Sequence, residues 1–402
     1  MDVSPVVVLF FVLAAPHFVT LVYYLICKSI LHRSRTDDSS TPSGFRGRPM
    51  QDLGMFVIIP TYNEETTIWK KLESILHSTY PLARLEVVVV DGHSSDRTVE
   101  IAVSFRERHP EFPLQIIRQN SRSGKSQAVK EVLEACRSDV AVITDADSLF
   151  LPDTLRAIAT RFEEHGIGAV TGVQRIREES DIATRLESLY SDFYTVLRLA
   201  ESRVDSTPIF RGEVTAVRSN LSKRVRYGHL APLADDSDLA VQVRLLGWRS
   251  VAEPTAGFVE IAPPTLVSRF KQKRRRGSGL VRLMARSLPQ VMKLKAARAY
   301  KLIVLANFVM LVVAPLTLIP TILVVTYESA VVLGSWAIAL FATLVGCLSA
   351  MLLFHLRPAS LIVGYLHSQV SLLAGIPGAF STQSTWSQIK EVRARWNRTY
   401  GH

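Results

Sequence analysis

The chain has 402 residues, enough for more than one domain, and a formal net charge of +11. Hydrophobic residues make up 48% of it and the mean hydropathy is positive, which argues against a purely soluble protein. Its three cysteines, Cys27, Cys136 and Cys347, stand far apart and suggest neither a disulfide framework nor a metal cluster.

Residues 5–27, PVVVLFFVLAAPHFVTLVYYLIC, carry no charge. At about 1.5 Å per residue such a helix crosses a hydrocarbon core of roughly 30 Å. No basic stretch precedes it, so a membrane helix over 1–32 is expected rather than a cleaved leader. Lys28, Arg33 and Arg35 follow, which puts the middle of the chain on the cytoplasmic side of the plasma membrane. Residues 33–51 are polar, with Ser, Thr, Pro and Gly, and read as a linker.

From 52 to about 262, short apolar strands alternate with helical patterns. MFVIIP (55–60), LEVVVVD (85–91), LQIIRQ (114–119) and VAVIT (140–144) are β-rich runs. Ile68, Leu72, Ile75 and Leu76 recur at helical spacing between the first two, a second helix is expected over 126–136, and a third after Pro152. This βαβα order predicts an α/β domain with a mainly parallel sheet covered by helices. In such sheets ligands bind beyond the carboxyl ends of the strands. The clusters TYNEE, DGHSSDRT and DADS would all crowd that edge. Asp145 and Asp147, separated by one alanine, form either a turn or a metal site. Gly124-Lys125-Ser126 looks like the end of a phosphate-binding loop, but the glycine required five residues earlier is Gln119. Lys125 remains a candidate helix-start cation for a diphosphate.

Between Ile261 and Tyr327 there is no acidic residue, and Arg269 to Lys301 is densely basic. Just before a membrane span, such a segment (263–300) reads as basic interfacial helices on anionic lipid rather than a nucleic-acid surface. Residues 302–327 and 331–354 are each apolar enough to span. Residues 360–380 are more polar and are expected not to cross, which leaves 301–381 as the membrane region and 382–402 as a cytoplasmic tail.

Taken in order, VIIPTYNEE, VVVVDGHSSDRT, TDADS, FRGEVTAVR, DDSDLAVQVRLLGWR and QKRRR resemble the motifs of membrane-integrated family 2 glycosyltransferases over residues 54–285. The resemblance implies a GT-A fold, a nucleotide-binding mixed sheet flanked by helices. It also implies sugar transfer with inversion from a nucleotide donor, a UDP-sugar, to a lipid-linked or growing saccharide. Thr61, Tyr62 and Glu64 would line the nucleoside pocket, and Asp91 would hydrogen-bond the base. Asp145 would lie against the ribose or the metal, and Asp147 would directly ligate Mg²⁺ or Mn²⁺, the ions that suit carboxylate and phosphate oxygens. Asp236 would be the general base, with Asp235 the alternative because it stands where the family has Glu. Gln272, Arg275 and Arg276 match the QxxRW stretch near the diphosphate, except that Arg276 replaces the tryptophan. That departure leaves a single-sugar polyprenyl-phosphate transferase as the runner-up, and a non-catalytic membrane scaffold as the rival of another class.

Overall fold

The computed structural model describes residues 5–37, 53–121, 124–175, 182–228, 234–260, 265–295, 297–339, 341–343, 347, 357–380 and 396. Eight strands form one sheet: β1 (Met55–Thr61), β2 (Leu85–Asp91), β3 (Leu114–Arg118), β4 (Val140–Ile143), β5 (Ser148–Phe150), β6 (Ile167–Gln174), β7 (Thr215–Arg218) and β8 (Arg249–Glu260), in the order β3-β2-β1-β4-β7-β6-β8-β5. Strands β3, β2, β1 and β4 are mutually parallel, as the βαβα pattern predicts. The other half is mixed: β7 runs antiparallel to β4 and β6, and β5 antiparallel to β8. The expectation of a mainly parallel sheet therefore holds for one half only. The strands of the second half are short or carry polar residues, so no apolar run announced them.

Period-two alternation divides β1 between two cores. Met55, Val57 and Ile59 face one side, with α2 (Ile68–Leu76), α3 (Thr98–Arg108) and α5 (Thr154–Glu163). Phe56 and Ile58 face the other, with α4 (Lys125–Leu133) and α8 (Asp235–Leu245). Both faces are buried, which explains why β1 and β2 read as continuous apolar runs. Helix α4 ends three residues before the expected Cys136.

A third core joins this domain to the apolar helices. It contains Cys27 of α1 (Pro5–Asp37), Tyr194 and Leu197 of α6 (Ile182–Val204), Val241, Met284 of α9 (Leu266–Met292) and Tyr300 and Val304 of α10 (Arg298–Phe308). Helix α7 (Ser219–Ser222) is a single turn after β7. Beyond α10, a π turn (Val309–Val313) leads into α11 (Ala314–Leu333). Among the described residues, Pro5–Arg33 and Arg298–Leu333 are long and apolar enough to cross a membrane. Helix α1 runs to Asp37, past the expected boundary at 32, and the remainder of the linker lies outside the described residues. Much of the expected span 331–354, and the tail except Trp396, also lie outside them.

Residues 360–380 belong to α12 (Arg357–Ala379). It packs along α9, with Phe270 against His367 and the Ser278 hydroxyl donating to the Gly375 carbonyl at 2.8 Å. Small residues permit that approach. A Cβ at Gly375 would sit 2.8 Å from the Arg274 carbonyl oxygen. Gly375→Val is expected to destabilise the protein by about 1–3 kcal/mol through overpacking. Thermal unfolding in detergent checks this, with Gly54→Ala, whose nearest neighbour would be at 3.5 Å, as a benign control.

Candidate active site

The carboxyl ends of β1, β2 and β4 lie together. Thr61 pairs with Asp91 in register, and the Thr144 amide donates to the Ile58 carbonyl at 3.0 Å. Just beyond β4, Ala146 is buried while Asp145 and Asp147 are half-buried. Helices α4 and α8 start beside this edge. Asp235, Asp236 and Asp238 occupy the first turn of α8, where acidic groups complement the helix dipole.

Lys125, the first residue of α4, forms an ion pair with Asp145 at 2.6 Å. Burial would lower the Lys125 ammonium, but Asp145 and Asp236 outweigh it and hold the group well above the usual lysine range. Next to it, Ser126 donates a short hydrogen bond to Asp235. Burial, together with neighbouring Asp236, pushes the Asp235 carboxyl up to about 8. Its second oxygen has no hydrogen-bond partner. Asp236 accepts from the Tyr227 hydroxyl at 3.4 Å. Its carboxyl is pushed up to about 6, by burial first and then by Asp145 and Glu213, with Lys125 and Arg276 pulling the other way. Gly212 lies against this carboxylate, since a Cβ there would come within 2.6 Å of an Asp236 oxygen.

On α9, Arg276 donates to Glu213 at 2.8 Å and to Glu260 at 3.2 Å. Burial opposes ionisation of Glu213, yet Arg276 and Arg211 hold it below the usual carboxylate range, while burial and Glu213 raise Glu260. Arg275 is lowered by burial and by Arg276, and feels Asp145 and Asp147. Gln272 lies one helical turn earlier on α9. Lys125, Asp145, Asp147, Asp235, Asp236, Arg275 and Arg276 therefore form one electrostatic cluster.

At the neighbouring strand ends, Asp91 is fully buried and accepts from both the Ser94 amide at 3.0 Å and the Ser94 hydroxyl. Arg118 lies 3.5 Å from it. The Thr61 hydroxyl donates to the Val90 carbonyl at 3.3 Å, and Glu64 accepts from Thr67 at 2.7 Å. Tyr62 is half-buried on the loop between them.

The sequence reading gave no place to Lys71, Tyr227, Glu260 and Arg118, and met Ser126, Gly212 and Glu213 only inside quoted motifs. Lys71 left a trace, as a lysine inside the apolar face of α2. Among the described residues, no group of three or more His, Cys, Asp or Glu could hold a metal by itself. Two half-buried carboxylates at one turn offer half of a hard-ion shell. They fit a divalent cation that takes its remaining oxygens from a bound phosphate and water.

Two family descriptions match: "Glycosyl transferase family 2" over residues 56–221 and "Glycosyl transferase family group 2" over residues 140–374. Poly-beta-1,6-N-acetyl-D-glucosamine synthases of Staphylococcus epidermidis and Staphylococcus aureus (strain COL) are 25% identical over 249 residues. Those matches take in 61% of this chain and 59% of the relatives. Mannosyltransferase PcManGT from Pyrobaculum calidifontis, solved in complex with GDP-Man and Mn²⁺, superposes with a TM-score of 0.74 at 29% identity. That superposition covers 94% of this chain and all of the other.

Asp235 yields a stability prediction. Its folded value is raised, so its contribution is fully present below the ordinary value of 3.8 and is lost as pH rises through about 8. Asp235→Asn is expected to flatten that decline. Unfolding midpoints measured between pH 4 and 8.5 check this, with the variant gaining on the parent chain at the alkaline end.

Proposed function

The chain belongs to the family 2 glycosyl transferases, and from that premise we propose a membrane-bound inverting enzyme. It takes a sugar from a nucleotide donor at the cytoplasmic face of the plasma membrane and passes it to a lipid-linked or growing saccharide. The observation that carries this reading is Asp236. It is a half-buried carboxylate, raised to about 6, at the sheet edge that also holds Asp145, Asp147 and Lys125.

In this reading the acceptor hydroxyl gives its proton to Asp236 while its oxygen attacks the anomeric carbon. The bond from that carbon to the diphosphate breaks, and the nucleoside diphosphate leaves with the electron pair. One displacement inverts the anomeric centre, by the same geometry that governs inverting glycosidases. Asp147 and Asp145 would hold Mn²⁺ or Mg²⁺, which when bound would supply Lewis-acid stabilisation of the leaving diphosphate. Lys125 exchanges Asp145 for a diphosphate oxygen, and Arg275 adds positive charge beside it. Thr61, Tyr62 and Glu64 shape the nucleoside pocket from the β1 loop, with Asp91 behind them. Gln272 and Arg276 border the acceptor side, and Asp235 supports the α8 turn.

A UDP-sugar is the donor implied by the signature around Asp91. GDP-mannose is the second reading, favoured by the whole-chain likeness to the mannosyltransferase. Arg276 in place of an aromatic platform favours transfer of one or a few sugars over long polymerisation. The proposed organisation is a membrane helix at 1–32, a catalytic domain at 52–262, the basic helix at 263–300 seated on lipid, and a membrane region at 301–381.

Purified protein in detergent, given UDP- and GDP-sugars, Mn²⁺ or Mg²⁺ and membrane lipids, is expected to release nucleoside diphosphate from one donor. Asp147→Ala and Asp236→Asn should each lower that rate by about 10³-fold. Release that survives Asp236→Asn would move the base elsewhere. The pH dependence of kcat/KM should show the rate declining as pH falls below about 6, where Asp236 takes up its proton.

A further inference from the structure

Lys71 lies on α2 among Ile68, Leu72 and Ile75, with none of its surface exposed. A lysine at such a position is costly, because an ammonium leaves water without a directly paired carboxylate. Its donors are nevertheless used. Nζ donates to the Thr144 hydroxyl at 2.6 Å and to the Ser148 carbonyl at 2.8 Å, and sits 3.7 Å from the centre of the Phe150 ring. Thr144 and Ser148 flank Asp145 and Asp147. The Ser148 hydroxyl closes the turn on the Asp145 carbonyl at 3.0 Å, and the Thr144 hydroxyl reaches the Glu213 carbonyl at 2.7 Å. The ammonium is thus the floor of the two-aspartate turn; burial lowers it to about 7, and Asp145 and Asp147 pull the other way. From the other side, Lys125 pairs with Asp145.

We propose that Lys71 is a resident counter-cation for the Asp145–Asp147 pair, so that a divalent ion binds weakly alone and tightly only together with a nucleoside diphosphate. This rests on reading Asp145 and Asp147 as metal carboxylates. With Lys71 beneath and Lys125 beside them, the two aspartates are already balanced, and an arriving divalent cation meets a fixed positive charge. A diphosphate changes the balance. It adds negative oxygens to the ion's shell and gives Lys125 a second partner. Lys71 is enclosed and cannot turn to another partner, so while it is protonated it acts as a penalty on metal binding.

The sign of this effect separates it from a purely structural role. Were Lys71 only a strut, removing it would loosen the turn and weaken metal binding. As a counter-cation, its removal strengthens metal binding. The test is Mn²⁺ binding followed by electron paramagnetic resonance, on full-length protein in detergent at pH 6.5, with and without UDP or GDP. The parent chain should bind Mn²⁺ weakly alone and more tightly with one nucleotide. Lys71→Met should tighten binding of Mn²⁺ by about tenfold, both alone and with nucleotide. Lys71→Gln, which keeps a donor for Thr144 and drops the charge, should do the same. Unchanged or weaker binding of Mn²⁺ alone in both variants overturns the proposal. So does failure of both variants to fold, which would make the lysine a structural requirement. A parent chain that binds no Mn²⁺ with any nucleotide would instead sink the metal reading of the aspartates.

Discussion

The structure depends on keeping a crowd of carboxylates at one sheet edge close to electrical balance. Asp236 feels Asp145 and Glu213, Asp235 feels Asp236, and Glu260 feels Glu213 and Asp147, with Lys125, Arg275, Arg276 and Lys71 set among them. Like charges at this spacing in a half-buried site cannot all ionise without compensation. Burial answers part of the problem by favouring the protonated forms of Asp235 and Glu260. The cations answer the rest. In the proposed reading, what remains is an edge that receives a diphosphate and a divalent ion, with Asp236 poised to ionise at about 6.

That edge is assembled from distant parts of the chain and needs a rigid frame. The parallel half of the sheet supplies strand ends and the start of α4. The mixed half supplies Glu213, Glu260 and the start of α8. Helix α9 brings Arg275 and Arg276, and its far side packs on α12. A second buried carboxylate, Glu201, fastens this frame to the apolar helices. It accepts from Tyr23 on α1 at 2.6 Å, from Asn307 on α10 at 2.7 Å and from Thr207 at 2.6 Å. Those bonds join the first apolar helix, the later one and the domain at one point, so the orientation of the domain on its helices is specified rather than loose.

Much of this was legible in the sequence where local rules apply. The β-branched runs at 55–60, 85–91 and 140–144 became strands of the parallel half, and the Asp145–Asp147 pair lies at a strand end because an apolar run stops there. Asp235 and Asp236 opened a helix as acidic first-turn residues do. Less local features were hidden. Lys71 stands out on the apolar face of its helix, but its partners Thr144 and Ser148, more than seventy positions away, appear only once they are folded over it. The Ser126–Asp235 and Arg276–Glu213 contacts likewise join segments that no periodicity connects. The antiparallel strands β5 and β7 are too short to declare themselves, and Gly212 gives no sign of its need until Asp236 is set against it.

The most direct measurement is a structure of the protein with Mn²⁺ and the nucleoside diphosphate that its preferred donor releases, the ion identified by its anomalous X-ray signal. The account predicts the ion against Asp147 and Asp145, the diphosphate on Lys125 in exchange for its contact with Asp145, and Asp236 facing the side where the sugar's anomeric carbon would stand. An ion or diphosphate seated away from the Asp145–Asp147 turn, or a bound nucleotide lying between Asp236 and any path for an acceptor, would contradict it.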